Sequence, residues 1–304
     1  MTEAVQKILS NYDSENPGVK GNLYKLLMHG RLGGTGKLII SPVDQGFEHG
    51  PARSFAQNPA AFDPLYHYRF SIETGMSAYA APLGWLEAGA STYAGQIPTI
   101  LKINSSNSLY SKDAIPDQAV TGSIEDALRL GCSGIGFTIY PGSKNSLEMF
   151  EEIRELSAQA KAVGLFVVIW SYPRGSMPSA AEQGIDVVSY GAHMAALLGA
   201  NIIKVKLPTS HVGCQDTKDK FAEGAISVKT LADRVSFIVK SCFNRRRIVV
   251  FSGGVTKTED EVLEEVKAIS DGGGHGSIMG RNCFQRPNEE AKALVDKIIK
   301  VYGG

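Results

Sequence analysis

The sequence has no excess of either charge and no long apolar run. Its 31 basic and 31 acidic residues balance to a formal net charge of zero. That balance argues against a large nucleic-acid footprint or a polybasic membrane surface. No apolar run approaches the roughly 18 residues that indicate a membrane-spanning helix. We therefore expect neither a nucleic acid nor a membrane as a partner.

Cysteine and histidine are scarce and scattered. The six histidines show no local spacing typical of a metal site, although a three-histidine site assembled in space stays open. The first residues, MTEAVQKILSNYDSE, lack the basic start and apolar stretch of a signal peptide. No CxxC pair occurs, so we expect a cytoplasmic protein without a disulfide framework or a zinc ribbon. The four cysteines are Cys132, Cys214, Cys242 and Cys283.

What the sequence does contain is a regular series of apolar, strand-like segments. Hydrophobic residues make up 43% of the 304 residues and charged residues 20%, a composition typical of a folded core. The segments are rich in β-branched residues and almost continuously apolar, as in a parallel sheet that is buried on both faces. Eight of them occur, in residues 37–46, 77–82, 98–104, 134–140, 165–172, 201–207, 247–254 and 275–281.

Helix-like stretches lie between most of these segments. Eight strands that alternate with helices favour an α/β fold, a single (β/α)8 TIM barrel, over a doubly wound sheet. We assign the barrel to residues 37–304 and predict an N-terminal helical extension over residues 1–36. The extension could cover the bottom of the barrel or build a subunit interface. The clearest helical patterns span residues 145–163, 179–199, 257–270 and 287–302.

Two lysines stand on the sixth predicted strand, and such barrels place their chemistry at strand ends. Strand alternation puts Lys204 and Lys206 on one face and Ile203 and Val205 on the other. If the two apolar residues contact helices, both lysines point into the barrel, where burial lowers the pKa of an ammonium group. A neutral lysine is the nucleophile that condenses with a ketone or aldehyde. Both lysines could instead pair with carboxylates, or lie on a solvated edge strand.

Glycine-rich turns follow the last two predicted strands. They contain Ser252, Gly253 and Gly254 in one turn and Gly280 and Arg281 in the other. In barrels, phosphate is often bound by the loops at these two places, through backbone N–H groups near helix starts. The arginine could add a charge-assisted contact. The alternative is that these glycines form tight turns and bind nothing.

Three further polar residues follow strands one and five. Tyr172, beside the lysine strand, could shuttle protons as a general acid and base, or could simply pack. Arg174 could clamp a second phosphate or lie on the surface. Asp44 could orient a substrate hydroxyl, accept a proton, or cap a short helix.

With these residues in view, the chain resembles the class I fructose-bisphosphate aldolases of the archaeal and bacterial type, which are similar to DeoC-like aldolases. The resemblance runs from about Leu38 to Gly304. Six motifs in the same order make it specific. They are DxGxEHGP from Asp44, TIYPGS from Thr138, WSYPRG from Trp170, ANIIKVKLPT from Ala200, FSGG from Phe251 and MGRNCFQR from Met279.

The resemblance implies a role for each candidate residue. Lys204 matches the Schiff-base lysine, with Lys206 as the fallback, and Tyr172 matches the general acid and base. Asp44 matches an aspartate that touches the substrate, and Arg174 would reach its distal phosphate. Beside the tyrosine, Trp170 would lie in the pocket. The residues that match the site for the C1 phosphate are Ser252, Gly253, Gly254, Gly280 and Arg281.

The implied activity is the reversible cleavage of fructose 1,6-bisphosphate into dihydroxyacetone phosphate and glyceraldehyde 3-phosphate. It would proceed through a covalent lysine without a metal or other cofactor, in a homo-oligomer such as a decamer. Many relatives have Asp-His-Gly where this chain has Asp44-Gln45-Gly46, so the chain departs from the family pattern at the position of that histidine. The alternatives are a related Schiff-base lyase, such as 2-amino-3,7-dideoxyheptulosonate synthase or another sugar-phosphate aldolase, a metal-dependent aldolase, and a non-catalytic sugar-phosphate sensor.

Overall fold

The computed structural model describes residues 1–110, 113–224, 226–254 and 256–304. Within these residues, eight parallel strands close into a barrel in which each strand pairs with its neighbours in chain order. The predicted (β/α)8 TIM barrel is therefore confirmed, and each of the eight predicted segments contains one strand. The strands, β1 to β8, are Leu38–Pro42, Ala78–Pro82, Thr99–Lys102, Gly134–Ile139, Phe166–Ser171, Ile202–Lys206, Ile248–Ser252 and Gly276–Ile278.

A helix on the outside of the barrel follows each strand. In chain order these outer helices are Pro64–Glu73, Leu83–Glu87, Ile124–Arg129, Ser146–Ala162, Ile185–Leu197, Leu231–Ser241, Glu259–Asp271 and Asn288–Gly303. The remaining α-helices are Glu3–Leu9, Pro17–Met28, Gln45–His49, Pro51–Phe55, Lys218–Ala222 and Arg281–Phe284. Short 3₁₀ turns span Ser10–Tyr12, Pro59–Phe62, Ala181–Gln183 and Gln215–Thr217.

One predicted helix boundary is wrong, and two short strands were not predicted. The helix predicted over residues 179–199 is interrupted at Gly184, whose extended backbone pairs with Thr209 in a parallel bridge. Two strands of two residues each, Asn104–Ser105 and Ala119–Val120, pair antiparallel between β3 and β4. Such short strands have no periodicity that a pattern could reveal.

Large and small residues alternate inside the barrel. The rings of Phe166 and Trp170 on β5 are buried and face the barrel interior. They face two glycines on β4. A Cβ on Gly134 would lie 2.3 Å from the Phe166 ring, and one on Gly136 would lie 1.9 Å from the Trp170 ring. The interior is thus filled by two large aromatic rings, and only glycine fits opposite them.

The N-terminal helices close the bottom of the barrel, at the amino ends of the strands. Leucines and valines of Glu3–Leu9 and Pro17–Met28 belong to the same apolar cluster as the interior residues of the strands. The buried Tyr12 hydroxyl donates to the carbonyl of Asn201 at 2.6 Å and accepts from the amide of Ile248 at 2.9 Å. The segment therefore covers the barrel bottom, and a role in a subunit interface stays a prediction.

None of the described helices has the length and apolar character needed to cross a membrane.

Candidate active site

A cavity opens at the carboxyl ends of the strands, and we call it the top cavity. The predicted site residues that line it are Asp44, Tyr172, Arg174, Lys204, Lys206, Ser252, Gly253, Gly254, Gly280 and Arg281. The other lining residues are Pro42, Gln45, Glu48, His49 and Ile278.

Lys204 lies at the bottom of this cavity and is only 4% exposed. Ile203 and Val205 pack into the layer between the barrel and its helices, so both lysines of β6 point inward as the alternation predicts. Burial lowers the pKa of Lys204 to about 8, although Asp44 and Glu48 oppose the shift and Lys102 and Arg281 add to it. Near neutral pH the fraction of Lys204 that is free amine is therefore much larger than for a lysine in water, and the free amine is the form that attacks a carbonyl.

Tyr172 lies directly beside both lysines. Its ring centroid is 5.4 Å from Nζ of Lys204 and 5.9 Å from Nζ of Lys206. Burial, reinforced by Asp44 and Glu48, raises the pKa of Tyr172 well above its usual value, so the resting form is the phenol. A phenol in this position can give a proton to a group attached to Lys204, and it can take one back once a cation forms there.

Trp170 differs from its predicted place. The resemblance to the class I aldolases predicts that Trp170 lies in the pocket. Its side chain is instead 1% exposed and forms part of the barrel interior below the cavity. Its ring centroid is 5.6 Å from Nζ of Lys204. The inward direction of position 170 on β5 explains the difference, because an indole there fills the space that Gly136 leaves on β4. Trp170 supports the lysine from below.

The loop after β1 brings acidic side chains to the cavity. Asp44 is 9% exposed and occupies the N-cap position of the short helix Gln45–His49. Its side chain makes no capping hydrogen bond. Glu48, one turn later, has its pKa raised by burial and by Asp44, while Lys102, Arg174 and Lys204 oppose that shift. Nε2 of His49 lies 3.7 Å from Oε2 of Glu48, and burial lowers the pKa of the His49 imidazole. The two carboxyl groups are the acidic side of an otherwise basic cavity.

The two glycine-rich turns after β7 and β8 are joined into one wall. Asn282 donates to the carbonyl of Gly253 at 3.2 Å and accepts from the amide of Lys257 at 2.9 Å. The register of the sheet brings the turns together, since Ile278 pairs with Ser252. A Cβ on Gly280 would lie 2.9 Å from the carbonyl oxygen of Pro42, so the backbone passes too closely for any side chain there. This wall, with Arg281 beside it, can hold a phosphate group.

Arg174 is held on the opposite side of the cavity by Tyr140. Its guanidinium carbon lies 4.9 Å from the Tyr140 ring centroid, and its Nη1 donates to the Tyr140 hydroxyl at 3.4 Å. Gln118 donates to the same hydroxyl at 2.6 Å. The Tyr140 ring therefore directs the guanidinium into the cavity.

The order of the strands places Lys204 between two cationic ends. Arg174 follows β5, Lys204 stands on β6, and the glycine wall with Arg281 follows β7 and β8. A ligand with an anionic group at each end can therefore lie across Lys204. Among the described residues, four basic side chains and two carboxyl groups line the cavity, which favours such a ligand. The basic side chains are those of Arg174, Lys204, Lys206 and Arg281.

Sequence reasoning missed Lys102 as a member of this site. It ends β3, is 2% exposed, and its Nζ lies 5.9 Å from the Trp170 ring centroid. The available signal was a lysine at the end of an apolar strand, but a single lysine there is weaker evidence than the alternating pair on β6.

In the described part of the chain, no three histidine, cysteine, aspartate or glutamate residues are grouped in a way that could hold a metal ion.

Comparison with known proteins points to one family. The model of the family described as DeoC/LacD family aldolase matches residues 38–286. A probable class 1 fructose-bisphosphate aldolase of Chlamydia muridarum is 34% identical and covers 98% of this chain and 88% of that relative. A class 1 fructose-bisphosphate aldolase of Thermoproteus tenax is also 34% identical and covers 88% of this chain and 91% of that relative.

One of the similar solved structures is an archaeal fructose-1,6-bisphosphate aldolase whose catalytic lysine is covalently bound to the carbinolamine intermediate of its substrate. It is 32% identical, its TM-score is 0.74, and the match covers 90% of this chain and 98% of that one.

Proposed function

This chain belongs to the DeoC/LacD aldolase family, and we propose that it is a class I fructose-bisphosphate aldolase. It cleaves fructose 1,6-bisphosphate reversibly into dihydroxyacetone phosphate and glyceraldehyde 3-phosphate, a reaction of glycolysis and gluconeogenesis. The observation that carries the proposal is a buried, partly neutral Lys204 at the bottom of a cavity with a cationic group at each end. A ketose bisphosphate has the matching shape, with its carbonyl between two phosphates.

Phosphate binding places the ketone above the amine. The C1 phosphate lies against the wall of Ser252, Gly253, Gly254, Gly280 and Arg281, and C2 then lies over Lys204. Arg174 takes the phosphate at the other end. Binding energy from the two phosphates fixes the reacting atoms close together, so the first step loses little further entropy.

The chemistry then proceeds through a covalent lysine. Nζ of Lys204 attacks C2, and the resulting carbinolamine loses water to give an iminium. The C3–C4 bond breaks, its electron pair enters the iminium to form an enamine, and the C4 hydroxyl loses its proton as glyceraldehyde 3-phosphate leaves. Protonation of the enamine at C3 and hydrolysis release dihydroxyacetone phosphate. The iminium accepts the electron pair, so the reaction needs no metal ion or other cofactor.

Tyr172 moves the protons in this sequence. The Tyr172 phenol gives its proton to the carbinolamine hydroxyl, which leaves as water, and the positive charge of the iminium, 5.4 Å from the ring, stabilises the resulting phenolate. This phenolate then accepts the C4 hydroxyl proton. The same phenol then returns the proton to C3. Asp44, at the end of β1, contacts the substrate hydroxyl groups, and Trp170 supports Lys204 from below.

Triose release from a panel of sugar phosphates tests the proposal. We expect cleavage of fructose 1,6-bisphosphate to exceed that of fructose 1-phosphate, and the activity to persist in EDTA. Loss in EDTA would indicate a metal-dependent aldolase. A preference for condensation with other aldehydes would indicate a related Schiff-base lyase, such as the heptulosonate synthase. Phosphate-ester binding without turnover would indicate a sensor.

Lys204→Met provides the control for this panel. The substitution retains the length and apolar stem of the side chain and removes the amine. We expect it to abolish cleavage while leaving sugar-phosphate binding largely intact. Full activity in this variant would overturn the proposal.

The family resemblance also supports a cytoplasmic homo-oligomer, such as a decamer. Light scattering on the eluting peak of a size-exclusion column measures the subunit number directly. A mass of one chain, 32.6 kDa, over a range of protein concentrations would contradict it.

A further inference from the structure

A second buried lysine lies below the top cavity and shares a neighbour with Lys204. Lys102 ends β3, and Nζ of Lys102 and Nζ of Lys204 lie 5.9 Å and 5.6 Å from the centroid of the same indole, that of Trp170. The two lysines are 2% and 4% exposed. Two amines that share a buried ring interact through a medium with little water, where charges act more strongly than in solution.

The two lysines differ in their hydrogen bonds. Nζ of Lys102 donates to the backbone carbonyl of Asn104 and, at 3.1 Å, to its side-chain oxygen. Asn104 is itself fixed, because its side chain donates to the carbonyl of Thr138 at 2.9 Å and accepts from the amide of Thr138 at 2.7 Å. Among the described residues, Nζ of Lys204 has no hydrogen-bond acceptor within reach. An ammonium group needs acceptors, and an attacking amine must keep its lone pair free.

We propose that Lys102 is the charged lysine of the pair, a positioning residue whose ammonium group favours the free-amine form of Lys204. The proposal rests on the proposed function, because it explains how the Schiff-base lysine is prepared. When Lys204 becomes an iminium, the nearby positive charge also makes that iminium a better acceptor for the electron pair of the breaking bond. Lys102 does not contact the substrate in this account.

Other charged groups around Lys204 also affect whether it is protonated. Asp44 and Glu48, from the loop after β1, favour its protonated form, and Arg281, after β8, opposes it together with Lys102. Burial lowers the pKa of Lys102 as well, while Asp44 and Glu48 favour its charged form. The two acceptors of Asn104 are the feature that Lys102 has and Lys204 lacks, and they decide which of the two holds the proton.

The test measures the pH at which Lys204 loses its proton. Competitive acetylation with acetic anhydride over a pH series, followed by peptide mass analysis, reports this value without any substrate. We expect Lys102→Met to raise it by about one pH unit, because a nearby like charge is removed. Lys102→Arg, which keeps the charge, should stay near the wild-type value.

Lys37→Met is the matched control. Lys37 is another partly buried lysine that donates to a backbone carbonyl, that of Gly274 at 2.7 Å, but it lies at the bottom of the barrel. It should leave the titration of Lys204 unchanged. Should Lys102→Met fail to fold, Lys102→Gln removes the charge and keeps a donor for Asn104.

The outcomes separate this inference from the proposed function. An unchanged titration of Lys204 in folded Lys102→Met or Lys102→Gln overturns the role of Lys102, whatever the enzyme does. A shift of equal size in Lys37→Met overturns it too. A wild-type protein that acetylates as expected but forms no adduct with dihydroxyacetone phosphate under borohydride overturns the proposed function and leaves the shift measurable.

Discussion

At the scale of single residues, the site depends on which ionisable groups are charged. Lys204 is buried next to two carboxyl groups and two further cations, and the net effect is a pKa of about 8. Tyr172, beside it, has its pKa raised by the same burial and by the same carboxyl groups. One residue is thus prepared to attack as a neutral amine and its neighbour to act as a neutral acid. The free amine follows from the environment, because a lysine in water is almost fully protonated near neutral pH, whereas a tyrosine is a neutral phenol in water as well.

The pH dependence of adduct formation follows from the state of Lys204. The amine attacks and the ammonium does not, so the trapping rate should rise with pH and level off above the pKa of about 8. Borohydride trapping with dihydroxyacetone phosphate between pH 6 and 10 measures this rise. A rate that falls through the same range would show that the protonated form reacts.

Replacing Tyr172 by phenylalanine should separate adduct formation from bond cleavage. Removing a general base costs about 10²–10⁴ in rate, so cleavage of fructose 1,6-bisphosphate should fall by that factor. Lys204 is untouched, and a covalent adduct should still be trapped. Tyr190→Phe, on the surface and 60% exposed, is the matched control. If Tyr172→Phe cleaves at the wild-type rate, another group carries the proton.

At the scale of elements, the sequence predicts the strands better than the details between them. Nearly continuous β-branched runs such as Phe166–Ser171 can be recognised because a strand buried on both faces has to be apolar throughout. The lysines of Ile202–Lys206 stand out against that background. Lys102 does not, because it is a single lysine at a strand end. The burial of Trp170 below the cavity cannot be predicted from the sequence either, because it depends on Gly136 of a neighbouring strand.

The pairing of Gly136 with Trp170 predicts the result of one substitution. In Gly136→Ala the new methyl would overlap the indole, so the ring beneath Lys204 has to move. Overpacking of this kind costs about 1–3 kcal/mol in the free energy of unfolding. Denaturant unfolding measures the loss, and cleavage should fall with it.

Gly84→Ala is the control, because a Cβ there meets no atom within 4 Å. Combining Gly136→Ala with Trp170→Leu should recover part of the stability lost in the first variant. If the losses in the free energy of unfolding of Gly136→Ala and Trp170→Leu simply add in the double variant, the packing of Trp170 against Gly136 is contradicted.

At the scale of the whole molecule, stability and chemistry occupy opposite ends of the barrel. The top cavity holds the ionisable residues, and the bottom is closed by the helices Glu3–Leu9 and Pro17–Met28. Apolar spacing predicted these helices, but their docking site depends on a few long-range contacts. Among those contacts are the two hydrogen bonds of Tyr12, which join residues 189 and 236 positions apart.

Tyr12→Phe should therefore lower stability and spare activity. It leaves the amide of Ile248 and the carbonyl of Asn201 without their buried partner, at a cost of about 1–3 kcal/mol. Thermal unfolding should show the loss, and kcat below the melting transition should stay at the wild-type value. Tyr24→Phe, 40% exposed on the same segment, is the control. A large fall in kcat in folded Tyr12→Phe would mean that the bottom of the barrel is coupled to the top cavity.

The most direct test is borohydride reduction of the protein with fructose 1,6-bisphosphate, followed by peptide mass mapping. The account predicts one reduced adduct per chain, on Lys204 alone, and none in Lys204→Met. An adduct on Lys206 or Lys102, or a protein that turns over its substrate without forming any adduct, would contradict it.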